Sequence, residues 1–152
     1  MIKSTKRFID FPCTHRAWRT EGHCRFIHGY SRSFHFTFSC SNVDENGWVM
    51  DFSGLKKVKA FLTYWFDHTF LVAKDDPEMD LFQQMDNKGL IQLRIMKNPS
   101  MEGTAKFVLK ESQNIVNTLV KNRRVIVERV EVFENQKNSS VAFSDYNYID
   151  KI

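Results

Sequence analysis

An α+β domain, with two helices on one face of a four-stranded antiparallel sheet, is the fold class this sequence predicts. Three observations predict it. Runs near both ends of the chain alternate with a period of two, apolar stripes of helical spacing fill the middle, and the resulting order is ββααββ. At 152 residues the chain has the size of one domain spanning 1–152, because a chain this long buries roughly 70% of the surface its unfolded form exposes. No internal repeat, linker or low-complexity tract divides it.

The first strand is read over 6–15, KRFIDFPCTH, where Ile9, Phe11, Cys13 and His15 share a parity and Pro12 marks an edge or a bulge. The second runs over 30–40. It places Tyr30, Phe34, Phe36, Phe38 and Cys40 on one face, against Ser31, Ser33, His35, Thr37 and Ser39 on the other. His28 falls on the Phe face and His35 does not. After a turn at Asn46-Gly47, Leu55, Val58, Phe61, Leu62, Trp65 and Phe66 recur at helical spacing through 52–66, with Asp51 or Ser53 available as the cap. The acidic, Pro-containing segment AKDDPEMD is read as a connection. A second helix starts near Pro99 and Ser100 and carries Ala105, Val108, Leu109, Ile115, Val116 and Leu119 as far as Asn122. In the closing strand, 125–134, Ile126, Glu128, Val130, Val132 and Glu134 share a face, and SSVAFSDYN (139–147) folds back on it as a hairpin. Neither edge of such a sheet is blunted by a run of charge, so edge-to-edge assembly into a ring is expected.

Composition narrows the function classes. The 22 Lys and Arg exceed the 18 Asp and Glu only modestly, which suits a phosphorylated small molecule better than nucleic acid, for which no motif is present. Three cysteines without CxxC spacing point to free thiols in a reducing compartment, and hence to the cytoplasm. The first residues lack a secretory apolar core and no stretch approaches the roughly 18 apolar residues of a membrane span. Fourteen Phe is a heavy aromatic load, and part of it suits a subunit interface.

Several residues carry chemistry, each with a plainer reading beside it. His15, His23 and His28 lie close together, and three imidazoles with an open position make a catalytic zinc site; the plainer reading is satisfied core or turn histidines. Cys24 stands beside Arg25, where a cation or metal would activate a thiol, or else it is an inert cysteine. Asp67 and His68 close the first helix. A carboxylate there orients an imidazole for proton transfer, or the helix terminus merely favours a cationic ring. Glu134 shares the parity of Val130 and Val132, so it meets donors such as the N–H edge of a flat heterocycle, or it is solvated in the turn.

Together these fragments resemble the 6-pyruvoyl-tetrahydropterin synthase and 6-carboxytetrahydropterin synthase family. The resemblance rests on six motifs in order: FPCTH ending at His15, CRFIHGY from Cys24 to Tyr30, GWVMDF at 47–52, FDHTFL around Asp67 and His68, NPSMEGTA at 98–105, and VFEN at Glu134. It covers nearly the whole chain. The resemblance implies a T-fold assembled as a homo-oligomer, a trimer or hexamer with sites between subunits. It also implies the small-molecule substrate 7,8-dihydroneopterin triphosphate, and zinc held by His15 and His28. Cys24, Asp67 and His68 would then be catalytic, while Glu134, Glu102 and Ser100 would bind substrate. Arg16, Arg19, Arg25 and Arg32 cluster near the same segment as candidates to neutralise a triphosphate. The implied reaction is formation of 6-carboxy-5,6,7,8-tetrahydropterin; the alternatives are triphosphate elimination to 6-pyruvoyl-tetrahydropterin and a non-catalytic pterin-binding relative with an altered metal site. One departure stands out. The family's His-Gly-His reads His28-Gly29-Tyr30 here, which leaves the third ligand open between Tyr30 and His23.

Overall fold

The computed structural model describes residues 1–145. A long antiparallel hairpin of β1 (Ile2–His15) and β2 (His28–Cys40) forms the centre of the sheet. On one side β5 (Ile126–Phe133) pairs antiparallel with β2, and β6 (Ser139–Phe143) with β5. On the other side β3 (Thr69–Ala73) runs parallel to β1, and β4 (Leu93–Met96) parallel to β3. The described residues thus form an α+β unit with a six-stranded mixed sheet in the order β4-β3-β1-β2-β5-β6, not the four-stranded antiparallel sheet expected. Tyr146 and Asn147 of the expected last strand lie outside the described residues.

The helices correct the expected one-faced arrangement. Both α1 (Lys56–Phe66) and α3 (Met101–Leu119) cover the Phe face of the sheet, with Val58, Leu62 and Phe66 of α1 and Ala105, Val108 and Val116 of α3 in one core with Phe34, Phe36 and Phe38. The helix α2 (Met79–Asn87) lies against the opposite face, where its Phe82 meets Phe70 and Val72 of β3 at a smaller core. A strand buried on both faces reads as a continuous apolar run without alternation, and TFLVA is such a run.

Two bulges also shift the expected faces. Between Phe8 and Phe11 the register of β1 slips, and Asp10 takes a left-handed φ of 68°. One extra residue reverses parity, so Phe8 and Phe11 both point to the core while Ile9 is 62% exposed. A second slip, in β5 opposite Thr37 and Phe38, buries Val127 together with Val130 and Val132.

Candidate active site

At one end of the Phe face three cross-strand pairs stack in rows: Phe11 with Arg32, Cys13 with Tyr30, and His15 with His28. The close approach needs Gly29, because a Cβ there would stand 2.2 Å from the Cys13 carbonyl oxygen and 2.8 Å from the Thr14 methyl. The His15 and His28 rings are 4.6 Å apart between centroids, and Tyr30 meets His28 edge to face at 6.1 Å. His28 Nδ1–H donates to the Phe26 carbonyl at 2.7 Å, which leaves its Nε2 lone pair free.

Arg32 dominates this array. Only 1% exposed, its side chain extends along the strand past the Cys13–Tyr30 row, and Nη2 donates to His15 Nδ1 at 2.7 Å. Its Nη1 donates to Thr104 Oγ1 at 3.0 Å, in the first turns of α3. Burial lowers the guanidinium from its ordinary value, and the charges of Cys13 and Glu134 oppose that. Glu134 follows Phe133, the last β5 residue paired with β2, and so comes next in register beside Arg32. Burial, then the neighbouring Arg32 and His28, pull His15 down to about 3, which makes it a neutral imidazole at physiological pH.

The Asp67–His68 pair sits where α1 passes into β3. Asp67 is extended and His68 has a left-handed φ of 55°, with the His68 N–H donating to the Pro12 carbonyl at 2.7 Å. Nδ1–H of His68 donates to Asp67 Oδ1 at 2.6 Å, so Nε2 keeps its lone pair, on a side chain 77% exposed. A cleft of about 560 Å³ lies beside it, lined by Pro12, Cys13, Thr14, Gly29 and Tyr30 as well as His68.

Other expected residues are placed differently. His23 and Cys24 occupy an exposed 3₁₀ turn between β1 and β2, and among the described residues neither side chain is hydrogen-bonded to the array. Ser100 is the N-cap of α3: its Oγ accepts from Gly103 N–H at 3.0 Å. Glu102 is exposed in the first helical turn. The arginines are not a free phosphate-binding cluster. Arg16 forms a two-pronged ion pair with Asp76, Arg19 pairs with Asp75, Arg25 lies over the Phe26 ring and Arg32 is buried.

A profile of the 6-pyruvoyl tetrahydropterin synthase family matches residues 4–145. The chain belongs to that family. The 6-carboxy-5,6,7,8-tetrahydropterin synthase of Rickettsia felis is 33% identical over 73% of this chain and 80% of its own length, and that of Rickettsia conorii is 32% identical over 80% and 92%. In fold, an uncharacterised protein of Wolinella succinogenes superposes with a TM-score of 0.81 at 21% identity, covering 95% of this chain and 98% of that one. The 6-pyruvoyl tetrahydropterin synthase of Plasmodium vivax superposes at 0.69 and 18% identity, over 95% and 99%.

Membership of this family implies zinc, and the donor set of this chain does not fit it. A neutral imidazole binds a metal through a free lone pair, yet arginine only donates, so the lone pair of His15 Nδ1 is taken and Nε2 carries the proton. Tyr30 offers a phenol, which must give up its proton to ligate a metal well, where the family has an imidazole. His23 lies in the exposed turn. Among the described residues no three His, Cys, Asp or Glu side chains converge as a metal-binding group. A fixed guanidinium hydrogen-bonded to the first ligand also repels a dication. The sequence pattern groups Arg32 with Arg16, Arg19 and Arg25 as candidates to neutralise a triphosphate, not as a buried partner of His15. The available signal was its parity, midway between Tyr30 and Phe34 on an otherwise aromatic face.

Proposed function

We propose that the protein is a pterin-forming lyase that acts on 7,8-dihydroneopterin triphosphate and yields 6-carboxy-5,6,7,8-tetrahydropterin. The choice of product follows the names of its curated relatives, and the observation that carries the catalytic reading is the Asp67–His68 hydrogen bond. The carboxylate fixes the imidazole with Nδ1–H inward and stabilises the ring when it gains a proton, so Nε2 can take a proton from a substrate side-chain carbon and return it. Cys24 supplies a second proton-transfer group from its turn. Glu134 accepts the adjacent N–H groups of the pterin, for which two parallel charge-assisted bonds are the natural partner. Assembly of several copies would bring the exposed turn of Cys24 and the dyad to one substrate.

The test is turnover of 7,8-dihydroneopterin triphosphate by the purified full chain, with acetaldehyde release distinguished from 6-pyruvoyl-tetrahydropterin formation. His68→Asn is expected to lower kcat by at least about 100-fold while leaving pterin binding in place. Wild-type protein that forms neither product would sink the lyase reading. The pyruvoyl product would instead reassign the reaction to triphosphate elimination. Pterin binding without turnover would favour the non-catalytic reading, which the Arg32–His15 contact supports.

A further inference from the structure

We propose that Arg32 is the built-in cation of this site, and that it sets His15 and His28 as a donor and acceptor pair for hydroxyl groups of a ligand in place of a metal-binding pair. The assignment follows from two hydrogen bonds of opposite consequence. Arg32 Nη2 donates to His15 Nδ1, so the neutral ring carries its proton on Nε2 and offers a donor. His28 gives its Nδ1–H to the Phe26 carbonyl, so its Nε2 offers an acceptor. The rings lie 4.6 Å apart between centroids on adjacent strands, tilted by 58° to one another, within reach of one small polar group. A metal would require a lone pair from each ring. A donor beside an acceptor instead matches two neighbouring hydroxyls, one accepting from His15 and the other donating to His28.

Arg32 is held for this role. Thr104 accepts its second hydrogen bond from α3, and Glu134, just past the end of β5, supplies an opposing carboxylate charge. Tyr30 takes the place of the missing imidazole without supplying a neutral nitrogen ligand. Arg32 is thus a positioning residue whose charge is permanent. The inference rests on the proposed function only in taking the hydroxylated side chain of a pterin as the ligand.

The deciding measurements use the full chain and do not depend on turnover. Long-range proton–nitrogen correlation spectra of the wild-type protein are expected to show His15 protonated on Nε2 and His28 on Nδ1. After incubation with zinc sulfate and dialysis, elemental analysis is expected to find zinc well below one equivalent. Arg32→Gln, checked for fold by circular dichroism, is expected to raise zinc affinity by at least about tenfold, the scale on which partners of ligand histidines act. One retained equivalent of zinc in the wild type, or a proton on His15 Nδ1, overturns the inference. Both wild-type readouts decide it even when Arg32→Gln does not fold. A wild-type chain with the stated tautomers and no zinc, yet no turnover, upholds this inference while overturning the lyase reading.

Discussion

A single glycine decides whether the two histidine strands can meet. Gly29 lies opposite Thr14, and any Cβ at this position collides with the backbone oxygen of Cys13, an atom that cannot rotate away. Gly29→Ala is therefore expected to destabilise the protein by about 2 kcal/mol or more, the scale of overpacking a well-filled site, and to part His15 from His28. Urea unfolding of the variant measures the first effect, and an unchanged midpoint would contradict the geometry. At this scale much was legible: His15 and His28 on one face, His35 on the other, and Asp67 beside His68 all follow from parity and adjacency. The contact between Arg32 and His15 was not. It joins residues whose backbones sit two rows apart, and only the length of an arginine side chain lying along the strand spans them. Ser100 shows the converse, since an N-cap serine and a substrate-binding serine have the same sequence signature.

Between elements, the strongest polar tie is that of Arg16, just past β1, to Asp76 in the turn between β3 and α2. Nε and Nη2 donate to the two carboxylate oxygens at 2.8 and 2.6 Å, and the Asp76 side chain has no exposed surface. Burial alone would raise the Asp76 carboxyl, but the bonds from Arg16 and from the Glu78 N–H outweigh it and hold the group below its ordinary range. A carboxyl lowered on folding stabilises the fold above the unfolded value of 3.8, and the contribution disappears as pH falls through the folded value. Arg16→Ala leaves a buried carboxylate uncompensated, and the expected loss is about 3–5 kcal/mol at neutral pH. Denaturant midpoints from pH 7 to pH 3 test both statements: the variant should lie well below the wild type at pH 7, and the gap should narrow in acid. A constant gap would mean that Asp76 contributes packing and no charge. The same region is where element prediction fell short. The strands β3 and β4 have five and four residues, too few for a period to register, and α2 begins inside an acidic stretch that reads as a turn. Long elements with a one-sided apolar face, β1, β2, α3 and β5, were legible because one face of each meets polar surroundings.

For the whole molecule, strand direction constrains how copies join. Taking β1 as up, β3 and β4 run up with it, β2 runs down, β5 up and β6 down. The two edges of the sheet, β4 and β6, are therefore opposed in direction. Copies related by rotation about an axis along the strands keep their directions, so β6 of one copy meets β4 of the next as an antiparallel pair, and repetition closes a ring. Both edges carry apolar side chains in the open: Ile95 on β4, and Val141 and Phe143 on β6, the last 62% exposed. An unprotected edge of this kind is a template for pairing, and ring closure is one way of removing it. The expected oligomer is a trimer, or a hexamer of two stacked rings, seen by sedimentation velocity at micromolar concentration. Val141→Lys combined with Phe143→Lys places two charges on the β6 edge and should shift that distribution to monomer while circular dichroism keeps its native shape. A wild-type monomer across that concentration range would refute edge pairing. It would also leave the exposed Cys24 turn and the Asp67–His68 dyad to act within one chain, and the turnover of the double variant then tests which arrangement the chemistry needs.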